Sequence, residues 1–144
     1  MDFIVIDGDT AEFEQAFGDA TVVVQPGTMI GSGHGSVAGY PMCIDGDEGK
    51  MKPVGPVSYT TKTHTIAGQG LLTIDSLASD QLATQTTCGG TAVILVGSKF
   101  NAKFTVVMPA MQPQSPPASP TPDNNTEYDG FGTFSTQNDG VRGE

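Results

Sequence analysis

The sequence predicts an all-β protein, built as a small, glycine-rich array of short strands. Glycine supplies 19 and proline 10 of the 144 residues, well above average usage. No stretch keeps the 3.6-residue apolar period of an amphipathic helix, and short runs of β-branched and aromatic residues recur between glycines instead. Because Val, Ile, Leu and Phe make up only about a fifth of the chain, we expect a thin core with an additional stabilising element.

Charge divides the chain into three segments. Residues 1–20 form an acidic N-terminal segment with six acids and no base, although the whole chain carries a net charge of −10. Residues 21–110 balance five acids with five lysines and form the predicted β-domain. Residues 111–144 hold five acids and Arg142. We therefore predict one β-domain with an extension at each end.

The N-terminal segment begins with a strand-like run. Residues 3–6 are apolar, and Asp7-Gly8-Asp9 then predicts a turn. Residues 10–18 fit one or two turns of helix containing Phe13 and Phe17, or a flexible acidic leader. Both interpretations leave this segment outside the β-domain.

The central segment contains a recurring glycine pattern. Residues 33–37 read Gly-His-Gly-Ser-Val, residues 68–72 read Gly-Gln-Gly-Leu-Leu, and a looser copy begins at Cys88. Three repeats would form an array in which each unit packs against the next, although a glycine-rich β-protein also produces such coincidences. After β-branched residues 21–25, Pro26-Gly27 predicts a turn.

The clearest strand signal lies near the end of this segment. Residues 100–106 alternate apolar and polar side chains, as in a half-buried strand. Gly97-Ser98 predicts a hairpin turn that joins this strand to a strand over residues 92–96.

The C-terminal segment changes composition abruptly. Residues 112–122 are rich in proline, glutamine and serine, and the rest is polar and acidic apart from three aromatic residues. We predict that residues 111–144 are largely disordered. Residues 130–134 fit either a short docking motif or part of a plain tail.

Four potential metal ligands lie within the central segment. They are His34, Cys43, His64 and Cys88, separated by eight, twenty and twenty-three residues. Zinc is commonly bound by two thiolates and two imidazoles in a tetrahedron, so the types and the number fit a structural zinc site. The spacing does not match a zinc finger, so each ligand would come from a different turn or strand.

A structural zinc would contribute on the order of 10 kcal/mol to folding, which suits a thin core. Two alternatives remain open on the residues alone. Cys43 and Cys88 could form a disulfide, or the four residues could have unconnected roles.

Several function classes find no support. No basic patch exists for nucleic acid, no apolar run approaches a membrane span, and the N-terminus lacks the pattern of a secretory signal. Neither cysteine has the setting of a catalytic nucleophile. Residues 45–49 have the composition of a calcium loop without its twelve-residue spacing, which predicts a solvated turn. We therefore predict a protein that is not an enzyme.

Residues 21–110 resemble the PAAR and PAAR-like proteins, which cap the membrane-piercing spike of contractile injection systems in type VI secretion, phage tails and extracellular particles. The best local matches are residues 30–35 and 63–70, although the Pro-Ala-Ala-Arg motif itself is absent. The resemblance implies a conical fold with a structural zinc near its apex. It also raises the expectation that His34, Cys43, His64 and Cys88 share one metal.

The resemblance also implies partners and location. The flat base of the cone would sit on a trimeric, VgrG-like spike protein, and terminal extensions would tether effector cargo. The protein would be cytoplasmic during assembly and then delivered outside the cell as part of the particle. The alternatives are a zinc-stabilised β binding module and, with less support, a metallo- or cysteine hydrolase.

Overall fold

The computed structural model describes residues 2–115 and 118–144, and within them it confirms the all-β prediction. Two short 3-10 helices, Asp47–Lys50 and Ser79–Gln81, accompany sixteen strands. The strands are β1 (Asp2–Phe3), β2 (Thr10–Phe13), β3 (Ala16–Phe17), β4 (Ala20–Val22), β5 (Gly27–Thr28), β6 (Ser36–Val37), β7 (Tyr40–Pro41), β8 (Val54–Thr61), β9 (Gly68–Ser76), β10 (Leu82–Cys88), β11 (Thr91–Ile94), β12 (Phe100–Met108), β13 (Met111–Gln112), β14 (Thr121–Pro122), β15 (Glu127–Ser135) and β16 (Arg142–Gly143). In the described ranges, no helix has the length and apolar character needed to cross a membrane.

Eight of these strands form one antiparallel sheet in the order β3-β4-β8-β9-β12-β15-β2-β5. The longest strands, β8, β9, β12 and β15, occupy its centre. The other strands pair as β1 with β16, β6 with β7, β10 with β11, and β13 with β14. The sheet therefore draws on all three segments that charge distinguishes in the sequence.

The sheet is curled, and its connectivity requires this. Strands β2 and β3 are seventh and first in the sheet order, yet only Glu14 and Gln15 separate them in sequence. In a flat sheet those positions would lie roughly 29 Å apart, whereas the link can span only about 11 Å. The Glu14 amide donates to the Phe131 carbonyl of β15 at 2.8 Å, so the link crosses beside β15 and brings β3 to it.

The curled sheet encloses an aromatic core. Inward and outward residues alternate along β9, β12 and β15, as a half-buried strand requires. Phe104 packs edge-on against Tyr59, with ring centroids 5.1 Å apart, and Phe13 packs in the same way against Phe100 at 5.6 Å. Such pairs add to the free energy gained from burying their area.

Inward-facing glycines make room for these rings. A Cβ on Gly70 would lie 2.4 Å from the Phe104 ring, and one on Gly130 would lie 2.6 Å from the Phe17 ring. Real Cβ atoms do not approach so closely, so each ring occupies the space that a side chain would otherwise fill. Residues 130–134 therefore belong to strand β15 and not to a plain tail, with Phe134 buried in the core and Phe131 exposed.

A second, smaller core contains Ile4, Ala83, Cys88, Val93 and Leu95. It shares its backbone segments with the main core, because Ile4 and Val93 of the second core are followed in sequence by Val5 and Ile94 of the main core. The Val5 amide donates to the Ile94 carbonyl, the Ile94 amide to the Cys43 carbonyl, and the Cys43 amide to the Val5 carbonyl, each at 2.9 Å. Three segments that are far apart in sequence thus meet at one junction.

The N-terminal segment belongs to this fold, so both the helix and the flexible leader predicted for residues 10–18 are wrong. Phe13 and Phe17 are buried in the main core from strands β2 and β3. The acids nearby have structural partners: Asp2 accepts the Gly97 amide at 2.7 Å and Asp7 accepts the Gly31 amide at 2.9 Å. The acidic composition reflects carboxylates that hold distant loops.

The prediction of disorder over residues 111–144 is wrong for residues 127–135. Strand β15 pairs with β12 on one side and with β2 on the other, and Tyr128 and Phe134 are buried. The alternation of these aromatics with Gly130 and Gly132 was the sequence signal for a strand. The strand is hard to recognise because its outward residues, which face solvent, are mostly polar and make the segment resemble a tail.

Two further expectations need correction. Strands β11 and β12 form at the predicted positions but do not form a hairpin, because β11 pairs with β10 while β12 pairs with β9 and β15. The three glycine-rich copies also differ in structure. Residues 33–35 lie outside the strands, residues 68–72 belong to β9, and Gly89-Gly90 form the turn between β10 and β11.

Candidate functional site

The glycine-rich run at residues 31–35 lies directly on the backbone of Pro41 and Met42. A Cβ on Gly31 would be 2.4 Å from the Pro41 carbonyl oxygen, and one on Gly33 would be 2.8 Å from that of Met42. Only glycine allows two backbones to approach this closely. The alternation leaves the intervening polar residues, including His34, on the exposed side.

This packing brings His34 and Cys88 into the same neighbourhood. The Gly35 amide donates to the Cys88 Sγ at 3.0 Å. The His34 ring lies beside Gly89, where a Cβ would be 2.9 Å from the imidazole Cδ2. Gly89 has a φ of +62°, which glycine adopts without strain. Two of the four predicted ligands are therefore neighbours.

Cys43 lies elsewhere, in the junction between the two cores. It is fully buried in the main core, while Cys88 belongs to the second core. Burial raises the pKa of the Cys43 thiol well above its ordinary value, and the nearby Asp47 carboxylate adds to the increase. Both cysteines are free, so the disulfide alternative is not formed.

His64 lies in the connection between β8 and β9, among different neighbours. Its Nδ1 is 2.9 Å from the Thr63 hydroxyl and 3.3 Å from the Thr61 hydroxyl. The side chain lines an open cavity of about 270 Å³ together with Asp19 and Asp123. None of the other predicted ligands lines this cavity.

Asp123, which lines the same cavity, is hydrogen-bonded to two tyrosine side chains. Its Oδ2 accepts the hydroxyls of Tyr128, at 2.5 Å, and Tyr59, at 3.0 Å. Partial burial opposes the charged form, yet the hydrogen bonds from Tyr128, the Asn125 amide and Tyr59 prevail and lower the pKa of Asp123. Burial raises the pKa of Tyr59 to about 12, so its hydroxyl stays a donor at neutral pH.

The predicted zinc site can be tested against this geometry. Among residues 2–115 and 118–144, no group of three or more His, Cys, Asp or Glu side chains is arranged so that it could hold a metal ion. His34 and Cys88 are neighbours, whereas Cys43 and His64 lie in two other environments. The described residues thus do not fit one four-ligand centre, and the zinc site stays a prediction.

Asp47 has a structural role that the sequence did not reveal. The prediction of a solvated turn at residues 45–49 is wrong for this residue, because it is fully buried. Its carboxylate accepts the amide of Ile44 at 2.9 Å, and the amide and hydroxyl of Ser32 at 3.0 and 2.6 Å. Although burial opposes ionisation, these hydrogen bonds lower the pKa of Asp47. Asp47 thereby fixes the glycine-rich run to the junction.

One outward surface of the curled sheet carries no charge. This uncharged face ends on β12 at Lys103, the register partner of Thr73. It consists of outward residues on four adjacent strands and just beyond them: Thr21, Val23, Ser58, Thr60, Gln69, Leu71, Thr105, Val107 and Met108. Strand register makes the face continuous, since Thr21 pairs with Thr60 and Ser58 with Gln69. This face could not be recognised in the sequence, because its residues come from four separate stretches.

The uncharged face is apolar where β12 has a bulge. The register shifts between Val106 and Met108, and Val107 and Met108 are both exposed, by 62% and 57%. A bulge places two consecutive side chains on one side of a strand, which strict alternation forbids. Val23, 64% exposed, lies on the same face beside Ser58.

An ion cluster marks one border of the uncharged face. Lys103 lies 3.6 Å from Asp75 and 3.5 Å from Glu127. These opposite charges raise the pKa of Lys103, with Asp75 having the larger effect. Charged residues therefore border the face without entering it.

Comparison with known proteins identifies the family. The chain matches, over residues 1–144, the family described as contractile injection system spike tip protein. No curated protein matches it. The match includes the strands from both ends of the chain that complete the sheet. This chain therefore belongs to the spike tip proteins of contractile injection systems.

Proposed function

We propose that this protein is the terminal cap of a trimeric, β-helical spike, and that it enters the target membrane ahead of the spike. The observation that carries the proposal is the family match along the entire chain. The curled sheet supports it, because a piercing tip needs a fold whose parts cannot separate under load. The chain would join its particle in the cytoplasm and leave the cell with it.

The proposed role is mechanical and not catalytic. Burial and the raised pKa of Cys43 keep its thiol protonated, so it is a poor nucleophile. His34 is exposed beside Cys88, and the Cys88 Sγ accepts the Gly35 amide in a largely buried position. A hydrolase assay on the purified protein should therefore give no turnover above a His34→Ala control.

Cargo tethering, if this tip has it, would need a segment outside the sheet. Residues 127–135 are ruled out as a free tether because β15 lies inside the sheet. The described residues 113–115 and 118–120 are exposed and connect β13 to β14. We assign the tether to this proline-rich connection. Replacing residues 113–120 with a Gly-Ser link should leave spike binding intact and abolish co-purification of the effector.

The decisive experiment measures capture by the spike. The trimeric spike protein of the same injection system is immobilised, and purified tip is passed over it. Retention with one tip for each spike trimer is the expected result, measured by light scattering of the eluted complex. Absence of binding at micromolar concentrations of both proteins would contradict the proposal.

A further inference from the structure

We propose that the uncharged face is the surface with which this protein seats on the end of its spike. This inference rests on the proposed function and names the residues that carry it. The chain has 22 charged side chains, 16 of them acidic, yet the row of residues that crosses four strands from Val23 to Met108 contains none. Depletion of charge and exposure of apolar residues are typical of the core of a stable protein interface.

The arrangement of the face also matches such an interface. Its apolar members, Val23, Leu71, Val107 and Met108, lie around the polar pair Ser58 and Gln69, which are register partners. Met108 is the register partner of Gln69 on the other side, so one row crosses four strands from Val23 to Met108. The ion cluster around Lys103 then forms a charged border. An uncharged, partly apolar patch with a charged rim is the arrangement that excludes water from a protein contact.

Charge favours a protein as the occupant over a lipid surface. A net charge of −10 repels anionic headgroups, and the face has neither lysine or arginine to bind them nor Trp or Tyr to anchor at a membrane interface. The spike is also the partner that membership of the family requires.

Glutamate substitutions on the face test this inference. The Val107 and Met108 side chains are largely exposed, so Val107→Glu and Met108→Glu should fold normally, as checked by thermal unfolding. In the interface, each would bury an unpaired charge and weaken binding to the immobilised spike protein by roughly 30-fold or more. Ile30→Glu is the matched control, because Ile30 is 45% exposed and lies outside the face.

The outcomes separate this inference from the function on which it rests. Wild-type binding with loss in Val107→Glu and normal binding in Ile30→Glu supports it. Equal binding by the wild type, Val107→Glu and Ile30→Glu would overturn the assignment of this face and leave the spike-capping role intact. Failure of the wild type to bind would overturn both. A dimer in light scattering, or sedimentation with phosphatidylcholine vesicles, would also overturn it if Val107→Glu abolished that association.

Discussion

The ring of Phe100 lies over Gly132, its register partner on the neighbouring strand β15. A Cβ on Gly132 would be 2.4 Å from the Phe100 Cζ and 2.5 Å from the Glu12 carbonyl oxygen of β2. The ring cannot withdraw easily, because it also contacts Phe13 and Phe134. One glycine thus allows three strands to pack at full density.

Gly132→Ala should destabilise the protein for this reason. Overpacking of a core typically costs about 1 to 3 kcal/mol, and here one of the clashing atoms belongs to the backbone. Urea unfolding followed by circular dichroism measures the change. Gly140→Ala is the control, since a Cβ there has no atom within 4 Å and should change stability by less than about 1 kcal/mol. Equal stability of both variants would show that β15 does not pack as described.

Phe134 and Phe131 test whether β15 belongs to the sheet. Phe134 is buried, while Phe131 is 48% exposed on the opposite side of the same strand. Phe134→Ala should lower the free energy of unfolding by about 3 to 5 kcal/mol, and Phe131→Ala by much less. A disordered C-terminal segment would instead make both substitutions neutral in the same urea titration.

Truncation after Thr126 should prevent folding altogether. It removes β15 and leaves edges of both β12 and β2 unpaired in the middle of the sheet. We expect loss of the cooperative thermal transition and rapid digestion by trypsin, against the full chain as control. A truncated protein that kept a cooperative transition would show that residues 127–144 are not needed for folding.

Asp47 should make the fold sensitive to acid. Because its pKa is lower in the folded than in the unfolded chain, its contribution is complete above the ordinary pKa of about 4 and is lost as the pH falls through the folded value. Asp47→Asn should cost about 1 to 3 kcal/mol at pH 7 and flatten the decline of stability below pH 4. Asp139→Asn, at an exposed carboxylate, is the control. Parallel pH profiles for all three proteins would contradict this role.

Measurement of the metal content tests the predicted zinc site. The ligand types predict one zinc per chain, whereas a protein with His34, Cys43, His64 and Cys88 in three environments, as the structure places them, would contain much less. Inductively coupled plasma mass spectrometry of the wild type, His34→Ala and His64→Ala measures this. One zinc per chain, lost in both variants with a lowered melting temperature, would show that the four residues converge after all.

The sequence allowed some of this architecture to be predicted and concealed the rest. Strand β12 was predictable because Phe100, Ala102 and Phe104 alternate with polar residues. Strand β15 follows the same rule, but two of its inward positions are glycines, whose contribution is the space they leave for rings on other strands. The alternation along β15 can therefore be recognised only after the rings that pack on its glycines have been located.

The candidate site shows the same limit. His34 and Cys88 could be suspected as neighbours from residue type, but their proximity depends on a glycine run packed against Pro41, which no spacing rule describes. The uncharged face was hidden for another reason. Its uncharged residues lie on four strands from separate stretches of the sequence, and only the register of the sheet shows that they are neighbours.

The two-residue link between β2 and β3 has a mechanical consequence. The link ties the edge strand β3 to β2 through two residues, and the Glu14 amide ties the same link to β15 in the middle of the sheet. A force that pulls on β3 is therefore passed directly to two strands far from it in the sheet order. Although β3 and β5 remain the outermost strands, β3 cannot move away from the sheet unless this link also gives way.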